Sequence, residues 1–272
     1  MRSNNNEFKG NYAPVNGLNL YYEIHGAGQP LVLIHGGFGV IGRFASFEQL
    51  LPTLAETRQV IAVELQAHGH TADVDRPLSY EQMADDVAAL IVYLALDRAD
   101  VFGYSLGGGV ALQTAIRHPD GVRTLVVASA PCRRDGWHPE VLAGMAAVNG
   151  EALIGTPMHA AYLGVAPNPD GWSRLADKVR ELLGSDYDWS AAVAAIEAPA
   201  LVVVGDADSV RPAHAVEMFG LLGGGKADGA MGGRPRSQLA VLPDTTHFTI
   251  QDRTDLLLPI VATFLDAPMG AG

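Results

Sequence analysis

Short apolar runs alternate with amphipathic, helix-length segments along the first half of this 272-residue chain. The predicted strands are residues 31–34, 60–63 and 100–102, and the predicted helices are residues 47–55 and 80–94. Strands separated by helices pair in parallel, and the connecting helices cover both faces of the sheet. An Asn16-Gly17 turn between two earlier strand-like runs predicts an antiparallel hairpin at the start. The pattern therefore predicts an α/β fold with a mostly parallel sheet.

Residues 133–190 interrupt this alternation. Helical stretches there are broken by glycine and proline, aromatic residues are scattered through them, and no strand-like run occurs. Strand-like runs return at residues 201–204 and 239–242. We therefore predict one core domain in two parts, residues 1–132 and 191–272, with a helical insertion at residues 133–190 between them.

The best-defined chemical motif is GYSLG at residues 103–107, between a strand-like and a helix-like run. Glycines two positions before and after Ser105 let the backbone turn sharply and let the helix pack closely. Such a turn exposes the serine hydroxyl, and the N–H of Leu106 at the helix start faces the same point. We predict that Ser105 is a nucleophile and that Leu106 donates to an oxyanion. Because the chain contains 31 glycines, the motif alone also fits an ordinary turn.

Residues that could activate Ser105 follow the last two predicted strands, in the order serine, acid, histidine. Asp206 and Asp208 lie in GDADSVRP at residues 205–212, and His247 follows the final strand. Because parallel strands bring their carboxyl ends to one sheet edge, these side chains are expected near the serine. The imidazole would take the serine proton and return it to the leaving alcohol, while a carboxylate orients the imidazole.

A glycine-rich loop, HGGFG at residues 35–39, follows the first predicted parallel strand. Small residues allow the backbone to approach a bound substrate, and the N–H of Phe38 is predicted to be the second oxyanion donor beside Leu106. The alternative is an ordinary glycine-rich turn between a strand and a helix.

The chain resembles serine hydrolases of the alpha/beta-hydrolase fold. The resemblance rests on four motifs that occur in the family's order along the chain, at residues 35–37, 103–109, 205–212 and at His247. The resemblance covers nearly the whole chain and is closest to small bacterial carboxylesterases and lactonases. It implies an eight-stranded, mostly parallel sheet with helices on both faces. It also implies that residues 133–190 form a helical cap inserted after strand six.

The resemblance assigns roles to the acidic residues. In relatives the pattern G-x-x-D-x-x-x-P has the triad acid at its fourth position, which is Asp208 here, and Asp206 is then a structural carboxylate that caps the turn. Asp206 as the triad acid is the alternative. Some relatives have the acid after strand six, where this chain reads Ser-Ala-Pro at residues 129–131 and offers no carboxylate.

The implied activity is cofactor-independent hydrolysis of a carboxylic ester through an acyl-enzyme. Small to medium apolar acyl esters and lactones, including N-acyl homoserine lactones, are the expected substrates. Carbon-carbon bond hydrolysis, hydroxynitrile lysis and cofactor-free perhydrolysis remain open for the same triad. A ligand receptor without turnover is a further alternative, although such proteins often lack a triad member.

Candidate pocket residues lie beside the nucleophile and in the predicted cap: Tyr104, Trp137, Met145, Met158, Tyr162 and Trp172. Methionine adapts to flexible apolar chains, so these side chains are predicted to line an acyl pocket. Packing within the cap is the alternative for each one.

Composition narrows the possible partners and location. With 18 Lys and Arg against 30 Asp and Glu, the net charge is -12, which disfavours nucleic acids and anionic membranes and favours neutral small molecules. A single cysteine, Cys132, excludes an intramolecular disulfide. Residues 1–7 contain no apolar signal-peptide core, and no apolar run reaches about 18 residues, so a cytoplasmic location is predicted.

A histidine pair, His68 and His70, precedes two aspartates, Asp73 and Asp75, and raises the question of a zinc site. Zinc requires three or four converging ligands, and a fuller H-x-H-x-D-H sequence is absent. We therefore predict no metal site and no cofactor. One of the two histidines is expected to be buried and structural, and the other to be exposed.

Overall fold

The computed structural model describes residues 10–227 and 235–267 and contains an eight-stranded sheet. Its strands are β1 (Asn11–Val15), β2 (Leu18–His25), β3 (Gln29–Ile34), β4 (Arg58–Val63), β5 (Ala99–Tyr104), β6 (Val122–Ala128), β7 (Ala200–Ala207) and β8 (Gln238–Thr246). Their order across the sheet is β1-β2-β4-β3-β5-β6-β7-β8. The pairs β1–β2 and β2–β4 are antiparallel, and every pair from β4 to β8 is parallel. The predicted fold class is confirmed.

Helices connect these strands. The α-helices are α1 (Leu51–Leu54), α2 (Tyr80–Tyr93), α3 (Leu106–Arg117), α4 (Pro139–Ala146), α5 (Pro157–Leu163), α6 (Trp172–Gly184), α7 (Ser190–Val193), α8 (Pro212–Leu221) and α9 (Thr254–Asp266). Short 3-10 turns occur at Pro119–Gly121, Arg134–Gly136 and Pro169–Gly171. None of the helices within the described residues has both the length and the apolar character needed to cross a bilayer. Residues 1–7, considered above for a signal peptide, lie outside the described residues.

The helices cover both faces of the sheet because alternate strand residues point in opposite directions. On β3, Val32 and Ile34 join a core with α2 and α3, whereas Leu31 and Leu33 join a second core with α1 and α9. An unbroken apolar run such as this one is typical of a strand covered on both sides.

The start of the chain forms the predicted antiparallel hairpin. Val15 pairs with Leu18 across the turn, and Asn16 and Gly17 have φ angles of 47° and 82°. Positive φ at both central residues is what a tight two-residue hairpin turn requires, and it explains the Asn-Gly sequence.

The helix predicted for residues 47–55 is wrong over its first half, since α1 contains only Leu51–Leu54. Phe47 has a φ of 59°, which is incompatible with a right-handed helix. Its ring is buried against Phe102, with 4.4 Å between the ring centroids. Burial of a large aromatic side chain therefore takes precedence over the local helical pattern.

The segment predicted as a cap, residues 133–190, leaves the sheet after β6 and contains α4, α5 and α6. Arg133 and Asp188 form an isolated antiparallel bridge, so the two ends of the segment meet. Because the two ends of this segment lie side by side, it does not disturb the pairing of β6 with β7.

The carboxyl edge of the parallel strands carries the predicted site segments. Residues 35–39 follow β3, Ser105 follows β5, Ser129 follows β6, Asp208 follows β7, and His247 follows β8. These strands are neighbours in the sheet. Residues more than 140 positions apart, such as Ser105 and His247, are consequently brought within hydrogen-bonding distance.

Candidate active site

Ser105 occupies a sharp turn between β5 and α3. Its backbone has φ 54° and ψ -120°, and its N–H donates to the carbonyl oxygen of Ala128 at 2.9 Å. A Cβ added to Gly103 would lie 2.0 Å from the Gly107 carbonyl oxygen, and one added to Gly107 would lie 2.3 Å from that of Ile34. Both glycines are therefore required for the close approach of strand and helix that this turn needs.

Three side chains form a continuous hydrogen-bonded series. Ser105 Oγ lies 3.0 Å from His247 Nε2, and His247 Nδ1 lies 2.9 Å from Asp208 Oδ1. Because an ionised carboxylate only accepts hydrogen bonds, Nδ1 has the proton and Nε2 is left to accept from the serine hydroxyl. This tautomer prepares Nε2 to take the serine proton.

The Asp208 carboxylate is buried and held by four donors. Oδ1 accepts from His247 and from the N–H of Val210, while Oδ2 accepts from Ser129 Oγ and from the N–H of Gly205. Burial opposes ionisation of this carboxyl, but the hydrogen bonds from His247, Ser129 and Val210 and the attraction of the imidazole outweigh it and lower the pKa of Asp208. Asp208 is therefore ionised at neutral pH.

The neighbouring carboxylate of Asp206 faces a different part of the loop. It is exposed and accepts hydrogen bonds from the N–H groups of Asp244 and Thr245 at 3.0 and 3.1 Å. These bonds lower the pKa of Asp206. Asp206 thus ties the end of β7 to the turn that leads to His247 without contacting the imidazole.

The loop of residues 35–39 packs directly on the serine turn. A Cβ on Gly36 would lie 3.4 Å from Ser105 Cβ, and one on Gly37 would lie 3.8 Å from Leu106 Cδ1. Phe38 has a φ of 60°. Within the described residues, the N–H groups of Phe38 and Leu106 have no intramolecular acceptor.

His35 holds the start of this loop. Its Nε2 accepts from the N–H of Leu65 at 3.0 Å, so Nδ1 has the proton and donates to the Gly36 carbonyl oxygen at 2.7 Å. Burial lowers the pKa of His35 to about 3, with a smaller contribution from His68, so the ring is neutral and structural.

His68 and His70, in the loop after β4, differ in exposure: one is buried, as predicted, but the other is only partly exposed. His68 is fully buried, and burial lowers its pKa to about 4, whereas the His70 side chain is 30% exposed and lies against Glu64. Glu64 Oε1 also accepts from the N–H of Ile41, so this carboxylate joins the loop to the residues after the glycine-rich segment. Among residues 10–227 and 235–267, no cluster of three or more His, Cys, Asp or Glu side chains could hold a metal ion.

A cavity of about 570 Å³ opens above Ser105 and His247. Its apolar wall comes mainly from the inserted helices and their connections: Val141, Met145, Val148, Leu153, Met158, Val179 and Leu183. Phe38, Phe44 and Phe248 also line it, and Arg43, Glu48 and Asp252 contribute charged groups. A space of this size and polarity accommodates a small to medium apolar group beside the serine.

The predicted pocket residues divide into two groups. Tyr104, Met145 and Met158 line the cavity, but Trp137, Tyr162 and Trp172 do not, so the prediction is wrong for the latter three. Those three are buried and use their polar atoms internally. Trp137 Nε1 donates to the Tyr187 hydroxyl, Tyr162 donates to the Asn168 carbonyl oxygen, and Trp172 Nε1 donates to that of Gly150.

Two of these aromatic residues pack against residues that line the cavity. The Trp137 ring lies edge-on to the His247 ring with centroids 5.7 Å apart, and Trp172 packs on Phe38 at 5.4 Å. Tyr104 donates from its hydroxyl to the His247 carbonyl oxygen at 2.8 Å. Packing of the segment between β6 and β7 and of the serine turn therefore holds the histidine and the glycine-rich loop in place.

Sequence reasoning missed Ser129 and Phe248. Ser129 follows β6 at the same sheet edge as Ser105 and Asp208, and that position was a signal for it. Phe248, next to His247, is 70% exposed at the cavity. A large exposed aromatic side chain beside the histidine has no sequence signature of its own.

Comparisons with known proteins agree with this architecture. Residues 29–156 match a family described as alpha/beta hydrolase fold. The enol-lactonase from Burkholderia xenovorans LB400 superposes with a TM-score of 0.69 at 23% identity, covering 94% of this chain and 100% of that one. This chain has the alpha/beta hydrolase fold.

Curated relatives match this chain over a limited region. The 2-hydroxymuconate semialdehyde hydrolase of Pseudomonas sp. strain CF600 is 37% identical over 103 residues, which are 38% of this chain and 36% of that protein. The pimeloyl-[acyl-carrier protein] methyl ester esterase of Neisseria meningitidis serogroup A is 44% identical over 102 residues, 37% of this chain and 31% of that protein. The match thus spans only about a third of these relatives' own lengths.

Proposed function

We propose that this protein is a serine hydrolase of carboxylic esters, including lactones, that acts through an acyl-enzyme. The observation that carries the proposal is the series from Ser105 through His247 to Asp208, with distances of 3.0 and 2.9 Å. An apolar cavity of about 570 Å³ adjoins the nucleophile and offers space for an acyl group.

The chemistry follows from the tautomer of His247. Ser105 Oγ attacks the acyl carbon as Nε2 takes its proton, and the N–H groups of Phe38 and Leu106 hold the resulting oxyanion. Nε2 then gives the proton to the leaving alcohol, which departs and leaves an ester on the serine. A water molecule deprotonated by the same imidazole releases the acid, while Asp208 stabilises the imidazolium in both steps.

The substrate class rests on the cavity and on the relatives. The apolar wall of the cavity favours uncharged small to medium acyl chains over highly charged ones. Names among the relatives and structural neighbours include a methyl ester esterase, an enol-lactonase and an N-acyl homoserine lactone degrading enzyme. Open-chain esters and lactones differ only in whether the leaving alcohol stays attached, so one site can process both.

A second candidate function is hydrolysis of a carbon-carbon bond. It is favoured by the 2-hydroxymuconate semialdehyde hydrolase relative, because the compound in that name has an aldehyde and a carboxylate but no ester. A hydrolase of such a compound must break a bond between carbons. Arg43, which lines the cavity, could balance the charge of a carboxylate substrate.

The test is hydrolysis of p-nitrophenyl esters with two to twelve acyl carbons, beside an N-acyl homoserine lactone and a 2-hydroxy-6-oxo-dienoate. Wild-type protein is compared with the variants Ser105→Ala and Ser209→Ala, since Ser209 also lines the cavity but lies outside the series. We expect Ser105→Ala to lower ester turnover by about a thousandfold or more and Ser209→Ala to leave it nearly unchanged.

Each result has a distinct meaning. Turnover of the dienoate alone would replace the ester proposal with the carbon-carbon one. Equal ester turnover by wild-type and Ser105→Ala protein would overturn both. Absence of turnover on every substrate would favour a non-catalytic receptor.

A further inference from the structure

Ser129 is the buried side chain that contacts the far oxygen of the Asp208 carboxylate. Its Oγ lies 2.5 Å from Oδ2, and Ser129 and Asp208 are 1% and 5% exposed. Ser129 lies at the end of β6, on the opposite side of the carboxylate from His247. It does not line the cavity and so has no direct access to a substrate.

The arrangement of donors determines which way the carboxylate faces. Oδ1 is shared by His247 Nδ1 and the N–H of Val210, and Oδ2 by Ser129 Oγ and the N–H of Gly205. Val210 and Gly205 donate from the stretch of chain around Asp208 itself, since Gly205 lies in β7 and Val210 just after it. Ser129, which directly follows β6, is the donor to Oδ2 that comes from a distant part of the chain, and it therefore ties the carboxylate to the neighbouring strand end.

The backbone of Ser129 is held in an uncommon conformation that aims this hydroxyl. Its φ is 53°, in the left-handed region, and its N–H donates to the Val203 carbonyl oxygen at 2.9 Å. A residue other than glycine rarely adopts this φ, and serine has no special preference for it. In this conformation the Ser129 side chain makes a hydrogen bond to Asp208 that glycine could not make.

We propose that Ser129 is a positioning residue that holds the Asp208 carboxylate in the plane from which it orients His247. This inference rests on the proposed function, because it concerns the efficiency of the same serine nucleophile. With the Ser129 hydroxyl removed, Oδ2 keeps only the Gly205 N–H, and the carboxylate can rotate away from the imidazole.

The pKa of Asp208 gives a readout that a purely structural role of Ser129 would leave unchanged. Ser129 is among the groups that lower the pKa of Asp208, so its removal raises that pKa. Two other titratable side chains interact with Asp208: His247, whose Nδ1 lies 2.9 Å from Oδ1, and Tyr104. The loss of activity that follows protonation of Asp208 at acid pH should therefore begin at a higher pH in the variant than in wild type, and the kcat/KM profile measures this shift.

The experiment compares Ser129→Ala and Ser129→Gly with wild type and with Ser237→Ala. Glycine removes the same hydroxyl but suits the positive φ, so it distinguishes the lost hydrogen bond from backbone strain. Ser237 is an equally buried serine whose hydroxyl donates to the Leu222 carbonyl oxygen at 2.6 Å, away from the site. Thermal unfolding of each variant reports on the fold.

Two activities are measured. The first is kcat/KM on the best p-nitrophenyl ester across pH, and the second is the rate at which a fluorophosphonate labels Ser105. Labelling forms a bond from Oγ to phosphorus and expels fluoride, with the proton passing to His247, so it needs the activated serine but no particular substrate. If wild type is labelled without hydrolysing esters, the ester proposal fails while the role of Ser129 is still measured.

We expect both Ser129 variants to lose about tenfold or more in labelling rate and in kcat, with little change in KM, while Ser237→Ala retains wild-type rates. In an Asp208→Asn background, Ser129→Ala should change the rate by less than about twofold, because the group on which it acts is already lost. Wild-type labelling by Ser129→Gly, or an equal loss in both backgrounds, would overturn the proposal.

Discussion

The sheet edge and the inserted helices build opposite sides of the same cavity, and they do so by different means. At the sheet edge, directional hydrogen bonds connect Ser105 to His247 and His247 to Asp208. On the helical side, Met145 and Met158 present apolar side chains with no fixed directional contact. The comparison teaches that directional hydrogen bonds at the strand ends fix the positions of these three side chains, whereas adaptable apolar packing determines the shape of the cavity beside them.

The two regions also differ in what their aromatic residues do. Tyr104, at the sheet edge, lines the cavity and bonds to the backbone of His247. Tyr162, in the insertion, makes a similar bond to a carbonyl oxygen but is buried away from the cavity. Because Tyr104 and Tyr162 both donate from a hydroxyl to a backbone carbonyl oxygen, removing each hydroxyl compares how much the two regions contribute to activity.

The largest expected effect separates the two acids of the sheet edge. Asp208→Asn should lower kcat by about a thousandfold or more, because the amide no longer selects the reactive imidazole tautomer. Asp206→Asn should change kcat by a factor of about two to three, since it alters only an exposed turn. Steady-state kinetics on one ester checks both variants, and the reverse ranking would exchange their roles.

A smaller effect is expected from the matched tyrosines. Tyr104→Phe removes the hydroxyl that donates to the His247 carbonyl oxygen and should lower kcat by up to about tenfold without changing KM. Tyr162→Phe removes an equivalent bond at 2.9 Å in the insertion and should leave kcat unchanged. Equal losses of kcat in both variants would contradict the division between the two regions.

The helical side should control selectivity. Met158→Ala enlarges the cavity and should shift the ratio of kcat/KM for long over short acyl esters by several-fold, up to about tenfold. Met83→Ala is the control, because Met83 is fully buried in α2 and does not line the cavity. It should lower the free energy of unfolding by about 2 to 5 kcal/mol but keep the chain-length preference. An unchanged preference in Met158→Ala would remove the insertion from substrate selection.

The smallest effect is a pH dependence of stability. The folded-state pKa of Asp208 is below its ordinary value of 3.8, so its ionised form stabilises the fold above that pH. This contribution is lost as the pH falls through the lowered pKa. The difference in unfolding free energy between wild type and Asp208→Asn should therefore shrink below about pH 4. Urea unfolding at several pH values measures it, and a difference that grows on acidification would contradict the assigned direction.

Much of the fold could be predicted because its signals are local. The unbroken apolar run of β3, the Asn16-Gly17 turn and the glycines beside Ser105 each restrict the backbone within a few residues. The helix at residues 47–55 could be predicted only in part, since burial of Phe47 against Phe102 depends on a strand more than fifty residues away.

The sequence by itself determined the succession of strands and helices along the chain, the turn at Ser105 and the residues that follow each strand. These features depend on short-range backbone sterics and hydrophobic periodicity. Tertiary structure alone decided that Ser129 contacts Asp208, that Tyr104 donates to the backbone of His247, and that Trp137 and Tyr162 do not line the cavity. The two hydrogen bonds join residues 79 and 143 positions apart, and the placement of the aromatic side chains depends on how the inserted segment packs. Side-chain direction across such distances is set by the whole packed core and has no counterpart in any local pattern.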